Sequence, residues 1–180
     1  FDLSITASQT FGWYNRNTGY NPFTAEGKKT AAYEIWEQVL RKLEPDSPPL
    51  TIYISVGDGN IISGVYKGFQ DLLNLGWIER LPRLIGVQAE GSAAIANAYL
   101  AGKDTVDPVN AVTIADSISV DLPRDGRRAL RAVRETHGMF IKISDEEILK
   151  SIATLGKVGI FVEPAAAAAY AGLARTVAEG

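Results

Sequence analysis

The pattern of apolar and polar positions divides the chain into short apolar runs and longer segments with helical spacing. Thr51–Val56 is an apolar run of strand length, rich in β-branched and aromatic residues. From Ile61 to Leu75, apolar residues recur every three or four positions, which is the spacing of a helix with one buried face. Gly57–Asn60 separates the two with residues that tolerate tight turns. This stretch predicts a buried strand, a glycine turn and a helix.

The same alternation recurs along the chain and predicts its fold class. Arg83–Glu90 and Met139–Ile143 indicate further short strands, and Gly159–Val162 is one more short apolar run. A short strand is also expected in Phe1–Ser8, and an ordered, aromatic-rich loop in Gln9–Tyr20. Helical spacing and capping residues predict helices over Thr24–Leu43, Ala93–Ala101, Arg124–His137, Ser144–Leu155 and from Pro164 onward. A strand–helix order repeated at least four times predicts an α/β protein with three layers, α/β/α, around a mostly parallel sheet.

The glycine turn at Gly57–Asn60 has the features of an anion site. Backbone N–H groups at the start of a helix lack partners within the helix, and the helix dipole adds partial positive charge there. In a parallel sheet this turn also falls at the carboxyl end of a strand, where ligands of such sheets bind. The turn matches neither GxGxxG nor GxxxxGK[ST], so a dinucleotide or nucleoside triphosphate is disfavoured. Phosphate is the anion that fits best, and an ordinary turn without a ligand is the alternative.

Composition excludes several function classes. The net charge of −3, with both signs dispersed, gives no basic footprint for nucleic acid. The absence of cysteine excludes disulfides and a thiolate nucleophile, and His137 alone would have to carry any histidine-based chemistry. No apolar run approaches the roughly 18 residues of a membrane span, and the first residues do not resemble a signal peptide. We therefore expect a cytoplasmic protein with no nucleic-acid partner, no membrane partner and no metal centre.

Five motifs, in order, resemble those of threonine synthases within the fold-type II family of pyridoxal-phosphate enzymes. They are Asn21–Thr30 (NPFTAEGKKT), Val56–Ile61 (VGDGNI), Gly86–Gly91 (GVQAEG), Thr113–Ile118 (TIADSI) and Gly159–Ala165 (GIFVEPA). The likeness extends over nearly the whole chain, and the fourth motif is also found in the related serine/threonine dehydratases. The resemblance implies a fold like that of the tryptophan synthase β large domain.

The resemblance also implies a cofactor and a reaction. Pyridoxal 5′-phosphate would be bound through backbone N–H groups, with Ile62 as a further donor beyond the main set of Gly57, Asp58, Gly59, Asn60 and Ile61. The parent enzyme would convert O-phosphohomoserine and water to L-threonine and phosphate, as a homodimer. Two alternatives stay open: a serine/threonine dehydratase or another β-replacement enzyme, and a non-catalytic module that binds a phosphate ligand.

The chain departs from the family pattern at its catalytic lysine. The lysine that carries the cofactor lies in an SFKDR-like stretch, and a TGxG-like stretch faces the pyridine nitrogen; neither occurs here. We therefore expect residues 1–180 to form a single α/β domain, part of a large domain cut at both ends, without the small domain and with no catalytic residue of its own. Lys28, Lys29 and Lys67 are expected to be structural or solvated.

Substrate contacts are predicted at Asn21 and Thr24. Threonine synthases commonly carry arginine, which binds the substrate phosphate, at the position of Thr24. Arg16 or Lys28 could replace that arginine, or the substrate could differ. Asp58 is the one acid in the turn, and we expect its carboxylate to turn away while its N–H points inward.

Overall fold

The computed structural model describes residues 2–44 and 46–180, so Phe1 of the predicted first strand and Pro45 lie outside the described residues. The helices and strands run, in chain order, α1 Asp2–Phe11, α2 Pro22–Gln38, β1 Thr51–Ser55, α3 Asn60–Asn74, β2 Arg83–Ala89, α4 Ala94–Leu100, α5 Gly126–Glu135, β3 Met139–Ile143, α6 Asp145–Lys157 and α7 Pro164–Glu179. Short 3-10 turns occur at Leu40–Lys42, Glu90–Ser92 and Asp116–Ile118.

A parallel sheet of three strands forms the centre of the described structure. The strand order is β1-β2-β3, and both pairs are parallel. Gly86 lies in the middle strand, opposite Ile54 on one side and Phe140 on the other. A Cβ added to Gly86 would lie 2.4 Å from the Phe140 ring, so glycine lets that ring lie against the strand. The three strands predicted from the apolar runs, and their parallel pairing, are confirmed.

Helices cover both faces of this sheet. On one face, α2, α3, α4 and α5 form a core that includes Phe69, Leu72, Leu84 and Leu130. On the other face, α6 and α7 pack on Ile85, Val87 and Ile143. The predicted three-layer α/β/α arrangement is therefore present. None of the helices in the described part of the chain is long and apolar enough to cross a membrane.

The alanine-rich helix α7 packs closely on the sheet because its inner side chains are small. Ala167, Ala168 and Ala171 are buried there. A Cβ on Gly172 would lie 2.5 Å from a methyl group of Val87. Small residues therefore bring the backbone of this helix near the strand.

Two predicted strands are absent from the described residues. Residues 2–8 belong to helix α1, which buries none of its side chains. A helix forms its backbone hydrogen bonds within itself and needs no partner strand. The weak alternation of apolar and polar residues over eight positions was therefore not enough to make this segment a strand. Gly159–Val162 is irregular, and Phe161 within it is 93% exposed. The segment pairs with none of the three described strands, so three strand–helix repeats replace the expected four.

Candidate functional site

The turn between β1 and α3 presents a row of free backbone amides. Gly59 precedes the helix with φ of 89°, in the left-handed region that favours glycine. The main-chain N–H and the hydroxyl of Ser63 both donate to the Gly59 carbonyl, which fixes the first helical turn. Among the described residues, the N–H groups of residues 57–62 donate to no protein acceptor. We call these six N–H groups the amide cradle.

A loop from a distant part of the sequence forms one wall of the cradle. A Cβ on Gly57 would lie 2.8 Å from the Cα of Ile118, so only glycine lets the two backbones approach this closely. Ser92 holds that loop: its hydroxyl donates to the Ile118 carbonyl at 3.0 Å and accepts from the Val120 N–H at 3.0 Å. The wall is therefore positioned by a buried side chain outside the turn.

A second attachment joins the cradle to the start of α5. The Arg124 N–H donates to the Asp58 carboxylate at 2.5 Å, and the Asp125 N–H donates to the Asp58 carbonyl at 3.0 Å. The Asn60 side-chain amide donates to the carboxylate of Asp125 at 2.6 Å, and both residues are buried. Arg128 pairs with the same carboxylate at 3.0 Å. These contacts fix the turn on two sides before any ligand arrives.

The carboxylate of Asp58 is directed at the Arg124 backbone. Burial raises the pKa of Asp58, the hydrogen bond from Arg124 opposes the rise, and the nearby charge of Asp125 adds to it. The carboxylate thus already has a donor outside the cradle, and the Asp58 N–H donates to no described acceptor. Its role toward a ligand stays a prediction.

A cleft of about 190 Å³ opens over the amide cradle. Residues 57–62 all line it, together with Lys28, Ser55, Ser117 and Ile118. Two side-chain oxygens in this lining are buried without a hydrogen-bond partner, the hydroxyl of Ser55 and Oδ1 of Asn60. Free amides at a helix start, with no competing acceptor, can hold an anion with several oxygens.

The two predicted substrate contacts lie beside this cleft and already have partners. Asn21 caps α2: its Oδ1 accepts from the Phe23 N–H at 3.0 Å and its amide donates to the Asn15 carbonyl at 2.8 Å. The hydroxyl of Thr24 donates to the Asn21 carbonyl at 2.7 Å and lies 3.5 Å from the Asn60 amide nitrogen. Neither residue belongs to the cleft lining. Their role toward a substrate stays a prediction.

The lysines singled out in the sequence occupy different environments. Lys29 pairs with Glu26 at 2.8 Å and with Asp71 at 2.6 Å, and Lys67 also pairs with Glu26. Both lysines are held in ion pairs, which agrees with the structural or solvated role expected for them. Lys28, in contrast, lines the cleft and forms no ion pair with any described residue.

Sequence reasoning missed the residues that support the cradle from outside the turn. Gln88 is 1% exposed in β2; its amide donates to the Val56 carbonyl at 3.1 Å and its Oε1 accepts from the Ala96 N–H at 2.8 Å. A glutamine inside an apolar strand was a visible signal, because a buried amide needs partners. Asp125 and Ser92 carried no comparable signal, since their partners are distant in sequence.

A parallel α/β fold with free backbone amides at the carboxyl end of its first strand is typical of proteins that bind a ligand at that edge of the sheet. The sequence profile of the pyridoxal-phosphate dependent enzyme family matches residues 4–180, and the chain belongs to this family. Pyridoxal phosphate is the cofactor of the family.

Several threonine synthases are similar to this chain in sequence. The enzyme of Methanosarcina acetivorans is 39% identical over 162 residues, which cover 89% of this chain and 39% of that protein. The enzyme of Methanocaldococcus jannaschii is 37% identical with the same coverage, and that of Mycobacterium tuberculosis (strain H37Rv) is 35% identical over 161 residues. The chain spans about two fifths of the length of these curated relatives.

Solved structures share the fold at lower sequence identity. A threonine deaminase from T.th. superposes with a TM-score of 0.77 over 99% of this chain and 60% of that one, at 21% identity. Maize serine racemase gives a TM-score of 0.74 over 94% of this chain and 47% of that one, at 23% identity. With the family match, these likenesses identify the fold-type II architecture.

Proposed function

We propose that the amide cradle binds the phosphate of pyridoxal 5′-phosphate in a threonine synthase-like lyase. The observation that carries this proposal is the row of six N–H groups at residues 57–62 that have no protein acceptor among the described residues. Gly57 lets the Ile118 wall approach the turn and Gly59 lets the turn lie against the start of α5. The helix dipole of α3 favours a dianion at this point. Gly57, Asp58, Gly59, Asn60 and Ile61 are the proposed cofactor-binding residues, with Ile62 as a sixth donor.

The chain's own residues would bind and orient the cofactor. The cofactor, when bound, supplies an electron sink for carbanions formed on an amino-acid substrate. The backbone donors would hold its phosphate while Ser92 and Asp125 keep the two walls of the turn in place. Preorganised donors lose little freedom on binding, so the anion is held without a rearrangement of the turn.

The reaction that we propose is the conversion of O-phosphohomoserine and water to L-threonine and phosphate. It rests on relatives named threonine synthase at 34–39% identity. One observation favours a second candidate, a serine/threonine dehydratase: Thr24 has no positive charge with which to bind a substrate phosphate. The homodimer and the cytoplasmic location remain predictions of the same kind.

Ligand binding and turnover by the whole protein that carries this chain test the proposal. Equilibrium dialysis of the cofactor-free protein should give a dissociation constant for pyridoxal phosphate at least about 100-fold below that for pyridoxal, because hydrogen bonds to a charged group stabilise by about 1.5–3 kcal/mol each. Equal affinity for the two ligands would refute the role of the cradle.

Substrate specificity separates the two candidate reactions. Phosphate release from O-phosphohomoserine would support the synthase, whereas ammonia release from threonine, without phosphate release, would support the dehydratase. Activity on neither compound, in a protein that binds the cofactor, would refute both reactions and leave the binding proposal intact.

A further inference from the structure

Lys28 is the one cation among the described residues that line the cleft. It lies in α2, which packs along the first turns of α3: a Cβ added to Gly64 would lie 2.7 Å from the Cβ of Lys28. The start of the Lys28 side chain is thereby held against the helix whose N-terminus carries the amide cradle. Its ammonium group forms no ion pair with a described residue, whereas those of Lys29 and Lys67 do.

Two side-chain oxygens in the cleft lining have no hydrogen-bond partner. Asn60 is 3% exposed, its amide nitrogen donates to Asp125, and its Oδ1 has no partner although it is buried. The hydroxyl of Ser55 is buried without a partner as well. Buried polar atoms in proteins almost always have hydrogen-bond partners, so these two oxygens mark the cleft as a place for a polar ligand. The Ser55 hydroxyl can donate to an anion, whereas the Asn60 Oδ1 can only accept from an N–H or O–H donor.

Charge in the cleft favours an anion. Asp58 is the acidic residue of the lining, and its carboxylate accepts a hydrogen bond from the Arg124 backbone. Lys28 has no such partner, so its positive charge is available to a ligand. A Lys ammonium has three donors and no acceptor, and it acts on a phosphate as a compact point charge.

We propose that Lys28 is a binding residue for the phosphate held by the amide cradle, and that it strengthens selection of phosphorylated over unphosphorylated ligand. This inference rests on the proposed function of the cradle. It replaces the structural or solvated role expected from sequence. It also assigns Lys28 to the phosphate in the cradle instead of to a phosphate on the substrate.

Substitution of Lys28 in the whole protein tests this assignment. Lys28→Met keeps the length of the packed stem and removes the charge. Lys150→Met is the matched control, because Lys150 is exposed on α6, across the sheet, and has no described ion-pair partner. Equilibrium dialysis of the cofactor-free variants with pyridoxal phosphate and with pyridoxal measures the selectivity directly, without turnover.

The expected result is a change in the affinity for one of the two ligands only. Lys28→Met should raise the dissociation constant of pyridoxal phosphate about 10- to 100-fold and leave that of pyridoxal within about twofold, since one charge-assisted hydrogen bond is lost. Lys28→Arg should restore the affinity to within about threefold, and Lys150→Met should bind as the wild type does. If Lys28→Met does not fold, by circular dichroism, Lys28→Gln is measured in its place.

Three outcomes would overturn the assignment. Unchanged selectivity in Lys28→Met, or equal weakening of both ligands, would show that the ammonium does not meet the phosphate. A rise in KM for O-phosphohomoserine with unchanged cofactor affinity would assign Lys28 to the substrate instead. A wild-type protein without preference for pyridoxal phosphate would refute the proposed function itself, which is a separate result from a failed Lys28 variant.

Discussion

Gly59→Ala is the substitution that most directly tests how the turn is built. The residue has φ of 89°, and a side chain in this left-handed region costs roughly 1–2 kcal/mol. Its added Cβ would also lie 3.0 Å from the Cβ of Ala129 and 3.0 Å from the Asp125 carbonyl oxygen. Both atoms belong to the start of α5, so relief of these contacts requires that helix to move away from the turn.

A second glycine, Gly76, separates the cost of the left-handed backbone from the cost of the tight contacts. Gly76 has φ of 71° and no atom within 4 Å of an added Cβ, so Gly76→Ala carries the backbone cost alone, about 1 kcal/mol. Tight contact in a packed site adds about 1–3 kcal/mol. We therefore expect Gly59→Ala to lower the free energy of unfolding by about 2–4 kcal/mol. The cradle amides should also shift and weaken cofactor binding at least about tenfold.

Urea unfolding of the cofactor-free whole protein measures the first effect, and equilibrium dialysis with pyridoxal phosphate measures the second. Gly76→Ala should lose stability but keep wild-type affinity. Equal destabilisation by the two substitutions would mean that the contacts between Gly59 and α5 impose no cost. Wild-type cofactor affinity in Gly59→Ala would refute the view that this turn geometry is needed for binding.

Two further predictions concern the far side of the sheet. Gly172→Ala should lower the free energy of unfolding by about 1–3 kcal/mol, because the added methyl group meets Val87. A double-mutant cycle with Val87→Ala should give a coupling energy that offsets part of this loss. Strictly additive effects of the two substitutions would contradict the packing argument. Burial raises the pKa of Glu147, but hydrogen bonds from Arg175 and Ser144 outweigh it and hold the pKa below the ordinary 4.5. Glu147→Gln should therefore be less stable than the wild type above pH 4.5. Urea unfolding should show that the difference in free energy of unfolding narrows as the pH falls through the lowered pKa of Glu147. A difference that does not change with pH would contradict the assignment.

The turn could be predicted from the sequence because its determinants are local. An apolar run, two glycines and a helical repeat follow one another between Thr51 and Leu75. Each of them determines the conformation of residues close to it in sequence. The parallel sheet followed from the order of such units. The first strand was mispredicted because short alternation is a weak signal, and Gly159–Val162 because pairing depends on what lies beside a segment.

The supports of the cradle could not be predicted in this way. Ile118 and Asp125 meet the turn only in the folded chain, and nothing in their immediate sequence points to Gly57 or Asn60. Lys28 was expected to be structural or solvated, as a lysine on a helix usually is, or to replace the missing arginine at a substrate phosphate. Its place in the cleft depends on how closely α2 packs on α3.

The hydrogen bond between Asn60 and Asp125 joins residues 65 positions apart. A pocket closed by such a contact has high local contact order, so its formation must await the intervening strand, helix and loop. During translation the turn would leave the ribosome well before Asp125 does, with its amides still exposed to water. The anion site is therefore among the late products of folding, and a nascent chain that stops before α5 has the glycines but not the pocket.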